Sequence, residues 1–225
     1  MKKEVETKSK KRLLWSGAAA LVLFGLWTAA VCFLDVQPIG PGGAKVGLAT
    51  VNLRFFRFTG VHLALYALSD WLSLVPMGFI LGFAGLGLAQ LIGRKSLLKV
   101  DFNLLALGVF YVVVLAAYLL FEQYPVNVRP VLINGCCEAS YPSSTTLLVL
   151  SVVPTAMLQL KGRILNKRLQ KAVLTALAVF AGVMVLFRLI AGVHWLTDIV
   201  GGVILSAGLV LLYAGVVQGK GVLLK

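Results

Sequence analysis

The stretch Arg188-Leu189-Ile190-Ala191-Gly192-Val193-His194-Trp195-Leu196-Thr197-Asp198 decides the reading of this chain. It places an arginine, a histidine and an aspartate in a short turn between two apolar runs, each about as long as a membrane-crossing helix. Ionisable residues at membrane depth are costly and mark functional sites. An arginine grips phosphate oxygens with two parallel N–H groups. An aspartate four residues after a histidine lies on the same helix face, where it can hold the imidazole by its N–H. The three residue types together describe a phosphate site with a candidate nucleophile.

Outward from that turn, the 225 residues are 60% hydrophobic and only 13% charged. Such a composition excludes a soluble globular domain and describes a polytopic membrane protein. Six runs reach or approach the ~20 helical residues needed to cross a hydrocarbon core. They fall at 13–34, 71–93, 103–121, 144–160, 171–190 and 195–217. They lack polar/apolar alternation and are rich in Leu, Ala and Gly, which excludes a barrel. The fourth is the weakest, opening on Ser143-Ser144-Thr145-Thr146 and containing Pro154. The apolar piece from Val61 to Leu68 either lies at the interface or extends the second span. Asp70 reads as a residue at the start of that span rather than as a partner for an arginine. The first run is too long for a cleaved signal core and is read as an uncleaved helix.

Of the 21 lysines and arginines, only Lys45, Arg54, Arg57, Arg129 and Arg188 fall in segments on the His194 side. The rest cluster in the N-terminal tail, 94–99, 161–171 and at Lys220 and Lys225. By the positive-inside rule both termini are cytoplasmic and the motif-bearing loops face outward. The net charge of +13 therefore encodes topology and attraction to anionic lipid, with no nucleic-acid partner. The domain reading is a basic cytoplasmic tail over 1–12 and one membrane domain over 13–225. Adjacent Cys136 and Cys137 lack further ligands at zinc-like spacing, so no metal site is expected.

Three segments then align: Glu122-Gln123-Tyr124-Pro125-Val126-Asn127-Val128-Arg129-Pro130, Tyr141-Pro142-Ser143-Ser144-Thr145-Thr146, and Arg188 through Asp198. Over about 105–215 they resemble the type 2 phosphatidic acid phosphatase (PAP2) superfamily. That superfamily includes lipid phosphate phosphatases, undecaprenyl diphosphate phosphatases and, more distantly, vanadium haloperoxidases. Its motifs are Lys-x6-Arg-Pro, Pro-Ser-Gly-His and Ser-Arg-x5-His-x3-Asp. The resemblance implies an all-α bundle of six transmembrane helices. It implies that His194 is the nucleophile, that Asp198 orients it, and that Arg129, Ser143, Ser144 and Arg188 bind phosphate. No cofactor or metal is implied.

The first two motifs depart from the pattern. Glu122 stands where the family has lysine, beside an intact Arg129-Pro130. Thr145 stands where the family has its general-acid histidine, and a threonine hydroxyl does not ionise near neutral pH. General acid catalysis contributes ~10²–10⁴-fold, and a lost cation weakens the grip on a transferring phosphoryl group. A leaving group that is already acidic needs little protonation, so a polyprenyl diphosphate is favoured over phosphatidic acid. His62, on the same side, is read as an interfacial residue rather than a replacement acid.

The expected function is a phosphatase in a bacterial plasma membrane, acting on a lipid phosphate or diphosphate at the outer face. The alternative is a relative that binds or moves a lipid phosphate without cleaving it. A small transporter unrelated to phosphate is a third reading. The bilayer is the surrounding partner, and the sequence leaves a homo-oligomer open.

Overall fold

The computed structural model describes residues 2–218; Lys220 and Lys225, assigned above to the cytoplasmic end, lie outside the described residues. Within these there are eight α-helices: α1 (Lys2–Phe33), α2 (Ala49–Thr59), α3 (Leu63–Leu72), α4 (Leu74–Arg94), α5 (Phe102–Gln123), α6 (Ser144–Lys161), α7 (Lys167–Ile190) and α8 (Leu196–Val217). Six candidate spans are long and apolar enough to cross a membrane, with α3 and α4 acting as one, Leu63–Arg94. This is the expected all-α bundle of six membrane helices. α1 begins at Lys2, so the basic tail continues helically into the first span.

The second span starts at Leu63, eight residues before the expected 71. Asp70 had marked a helix start. It instead sits near the end of α3, beside Ser69, whose hydroxyl donates to the Tyr66 carbonyl at 2.8 Å. The Asp70 side chain pairs with Arg188, as described below. The charge that suggested a terminus is thus satisfied within the bundle.

The spans alternate in direction. The connections 34–62, 124–143 and 191–195 gather at one end, and 95–101 and 162–166 at the other. α1 packs along α8. Their backbones approach closely because α8 is glycine-rich where they touch: a Cβ on Gly208 would meet the Leu21 side chain at 2.8 Å. Small residues permit this kind of helix contact in lipid.

α6 is central. Leu147, Val149, Val152, Val153 and Ala156 are buried, and so are Ser151, Thr155 and Gln159. Its modest hydropathy, which made it the weakest span in the sequence, follows from facing protein rather than lipid. Two of its polar side chains find partners: the Thr155 hydroxyl donates to the Ser151 carbonyl at 2.8 Å, and the Gln159 amide donates to Tyr213 and to the Asn103 carbonyl. Phe110 and Val114 of α5 and Leu205 and Leu209 of α8 complete the main apolar cluster.

Candidate active site

His194 lies in the five-residue turn between α7 and α8 and is only 4% exposed. Its Nδ1 is 3.1 Å from the Ser140 carbonyl oxygen. A carbonyl only accepts, so Nδ1 carries the proton and Nε2 presents a lone pair. That Nε2 atom is buried and has no hydrogen-bond partner. Burial holds the imidazole below its ordinary basicity, and the charges of Arg129 and Arg188 act in the same direction, against Asp198. The group is therefore neutral near pH 7, the form a nucleophile needs.

Asp198 does not hold the imidazole directly. Its Oδ2 is 3.8 Å from Nδ1, beyond hydrogen-bond reach. Instead it closes the first turn of α8, where Oδ2 accepts the Trp195 N–H at 2.9 Å, while Oδ1 accepts from Asn127 at 3.3 Å. The aspartate fixes the backbone that carries His194, and the Ser140 carbonyl fixes the tautomer. The sequence expectation of a direct His194–Asp198 contact is corrected accordingly.

Arg188, near the end of α7, is 2% exposed. One nitrogen, Nη2, donates both to Asp70 of α3 and to the Thr145 hydroxyl at the start of α6. Its Nε and Nη1 have no partner. Asp70 is thus the partner of an arginine, not a helix-start residue. Thr145, which cannot serve as an acid, anchors the guanidinium.

Arg129 comes from the segment 124–143. Its Nε is 3.0 Å from a Glu138 carboxylate oxygen, though neither Nε nor Nη1 makes an aligned hydrogen bond. Arg129 therefore pairs with Glu138 rather than with Glu122, which is exposed on α5. The Tyr66 ring of α3 lies 4.9 Å from the Arg188 guanidinium carbon and 5.6 Å from that of Arg129. One aromatic ring thereby attracts both cations.

The remaining sequence candidates divide. Ser143 is fully buried: its N–H donates to the Asp198 carbonyl at 3.0 Å, and its hydroxyl accepts from Thr146 at 3.1 Å. It ties α6 to α8 and does not reach the cavity. Nor does it cap α6 through its side chain. Ser144 does line a cavity of about 250 Å³, with Tyr118, Glu122, Arg129, Glu138, Ser140 and Tyr141 among its walls. Pro130 is half-buried beside Arg129. His62 is exposed, its Nε2 2.8 Å from the Thr59 carbonyl oxygen.

Several positioning groups gave no signal in the sequence. Asn52 of α2 is fully buried, donating to the Thr197 hydroxyl at 2.9 Å and accepting the Thr197 N–H at 3.2 Å. Asn127 accepts the Gly47 N–H at 3.2 Å while holding Asp198. The Trp195 indole donates to the Val128 carbonyl at 2.7 Å. Gly192, at φ 68°, lies so close to Gly60 that a Cβ would fall 1.9 Å from the Gly60 carbonyl oxygen. The nearby Ala191 carbonyl accepts the His62 N–H at 2.9 Å.

Next to the polar cavity lies an apolar one of about 510 Å³, walled by Met77 and Ile80 of α4, Tyr111, Val114 and Leu115 of α5, and Leu148 and Val152 of α6. Tyr118, Ser144 and Leu147 line both. A polar chamber thus adjoins an apolar slot between helices.

A sequence model of the PAP2 superfamily matches residues 14–221, well beyond the motif-bearing region. No curated protein matches the chain. Among solved structures, the first transmembrane PAP2 type phosphatidylglycerolphosphate phosphatase from Bacillus subtilis is similar, with a TM-score of 0.60 and 18% identity. The likeness covers 88% of this chain and 93% of that one, and at this identity it concerns the fold.

Proposed function

The chain belongs to the PAP2 superfamily, and from that premise we propose that it hydrolyses a lipid phosphate or diphosphate through a phosphohistidine on His194. The observation that carries this reading is a set of buried, unpartnered polar atoms: His194 Nε2, Arg188 Nε and Nη1, and Arg129 Nη1. Buried donors without acceptors are uncommon and costly. A phosphate oxyanion supplies the missing acceptors, and its phosphorus supplies the electrophile for the Nε2 lone pair. Two guanidiniums stabilise the charge on the equatorial oxygens of the transferring group.

The apolar slot shared with the cavity supports a substrate whose tail remains in the bilayer. The distribution of lysine and arginine supports cytoplasmic termini and an outward-facing site. The first half-reaction transfers the phosphoryl group from the substrate oxygen to Nε2. Water then attacks phosphorus, the N–P bond breaks, and phosphate leaves.

One observation favours a second reading, in which the protein binds a lipid phosphate without cleaving it: Thr145 is engaged with Arg188 and offers no ionisable proton. A single experiment separates the two. Detergent-purified protein is given a polyprenyl diphosphate and phosphatidic acid, alongside His194→Ala. Phosphate release that falls by roughly 10⁴-fold or more in the variant, as expected for a lost nucleophile, supports the phosphatase. Lipid binding without release, unchanged by the substitution, sinks it.

A further inference from the structure

The reaction proposed above needs a proton for the leaving oxygen, and the family's histidine position is filled by Thr145. Among the walls of the cavity are two carboxylates, Glu122 and Glu138. We propose that Glu138 is the general acid that protonates the leaving group, so that alcohol monoesters of phosphate, and not only diphosphates, are within this protein's range. The inference rests on the phosphatase reading.

Glu138 is placed by the backbone of the phosphate clamp itself. Arg129 N–H donates to the Glu138 carbonyl at 3.0 Å, and Ser140 N–H donates to the Asn127 carbonyl at 2.9 Å. These bonds pair 127–129 with 138–140 in antiparallel fashion, with Val128 opposite Ala139. One short paired segment therefore carries the arginine that grips phosphate, the carboxylate beside it, and the carbonyl that orients His194. The Glu138 side chain is 39% exposed, open enough to exchange protons with water, and its Oε2 is 3.0 Å from Arg129 Nε. Glu122 is exposed on α5 and makes no ion pair with Arg129.

The charges around Glu138 explain how an ion-paired carboxylate becomes an acid. Arg129 is its counter-ion, and Glu122 and Tyr118 of α5 and Tyr141 before α6 line the same cavity. An arriving phosphate competes for Arg129. The Glu138 carboxyl then exchanges its cation for the oxygens of the bound substrate as its hydrogen-bonding partner.

The steps balance. The His194 Nε2 lone pair forms the N–P bond as the P–O bond to the leaving group breaks. The Glu138 carboxyl proton moves to the leaving oxygen, which departs as an alcohol. Water then attacks phosphorus and gives its proton to the Glu138 carboxylate. The N–P bond breaks, returning the lone pair to Nε2, and phosphate leaves.

The test compares leaving groups in Glu138→Gln, a substitution that keeps shape and removes the proton. Phosphatidic acid has a poor, alkoxide leaving group, whereas p-nitrophenyl phosphate has an acidic one. The variant is expected to lose about 10²–10⁴-fold in kcat on phosphatidic acid, the usual contribution of general acid catalysis, and no more than about tenfold on the aryl phosphate. The alkaline limb of the kcat–pH profile on phosphatidic acid should disappear in the variant, and Glu138→Asp should restore part of the rate. Equal losses on both substrates would overturn the proposal and make Glu138 a mere prop for Arg129. So would the same leaving-group split appearing in Glu122→Gln instead. If the wild type releases phosphate from a polyprenyl diphosphate but from neither ester, the Glu138 proposal falls and the phosphatase reading stands; if it hydrolyses none of the three, or His194→Ala retains full activity, the phosphatase reading itself fails, and Glu138 with it.

Discussion

The two ends of the bundle each bury a cluster of charged and amide side chains, and the clusters are finished differently. At the end carrying the 95–101 connection, Asp101 is 3% exposed and both of its carboxylate oxygens are used. Oδ1 accepts from Arg94 at 2.9 Å and Oδ2 accepts from Gln90 at 3.0 Å, while Gln90 in turn accepts the Asp101 N–H at 2.9 Å. One donor there, Arg163 Nη2, makes no hydrogen bond, but it faces the same carboxylate at 3.9 Å. At the other end, His194 Nε2 and Arg188 Nε and Nη1 have no hydrogen-bond partner. A polar network whose donors face a built-in acceptor braces helices. An open one holds donors in readiness for a ligand, at a cost to folding that the rest of the molecule offsets. The same residue types serve as a brace where the acceptors are built in, and as a candidate site where they are left for a phosphate to provide.

That contrast can be broken from either side. Asp101→Ala should have the largest effect on stability. It strands Arg94 and Arg163 and should cost about 3–5 kcal/mol, as for a buried pair deprived of one partner. Phosphatase activity of the protein that remains folded should not change; a thermal unfolding scan in detergent beside an activity assay checks both. Arg188→Lys should do the reverse. Lysine cannot bridge Asp70 and Thr145 while leaving two further N–H groups for a ligand. Turnover should fall by about 10²–10³-fold with little change in melting temperature.

Asn127→Ala should produce a smaller, mixed effect. It leaves the Gly47 N–H and one Asp198 oxygen unsatisfied, a loss of about 1–3 kcal/mol. Because Asp198 positions the His194 turn, kcat should fall together with stability, unlike the separate losses above. The smallest effects come from pH. Burial lowers His194 below its ordinary 6.5, so kcat/KM should hold as pH falls to that value and decline only below it. Burial alone would raise the Asp101 carboxyl, but the Gln90 and Arg94 hydrogen bonds and the arginine charges overcome it and hold the group below 3.8. Its contribution is therefore fully present above that value and is lost as pH drops through the depressed one.

The fold was legible because a helix that crosses lipid must be both long and apolar, and few other structures need such runs. The starts of the first two spans were placed too late, each by eight residues, the first at 13 against Val5 and the second at 71 against Leu63. Asp70 looked like a terminus, whereas its charge is answered by Arg188 from a helix more than a hundred residues away, a relation with no local trace. Of the candidate site, spacing in the sequence singled out Arg129, Arg188, His194 and Asp198, which folding brings to one end of the bundle. The site was illegible where support comes from a distance. Asn52, Tyr66 and Ser140 are ordinary residues in sequence, and they matter through a Thr197 backbone amide, two guanidiniums and a ring nitrogen brought to them by folding. The role of Asp198 was misread for the same reason. The i,i+4 spacing permits a direct hydrogen bond to His194, but the turn into α8 gives its carboxylate to the Trp195 N–H.

The central position of α6 has a consequence for biogenesis. A helix carrying buried Ser151, Thr155 and Gln159 is a poor candidate for release into lipid by hydropathy alone. Two of its polar groups are answered only after α8 has emerged: Tyr213 of α8 bonds the Gln159 side chain, and the Ser206 hydroxyl of α8 donates to the Leu147 carbonyl at 3.4 Å. The helix that begins beside His194 is thus also the one that retains α6. A nascent chain stalled before Leu196 would hold an uncommitted α6 at the translocon, so the seating of α6 in the bundle and the candidate site are completed by the same helix.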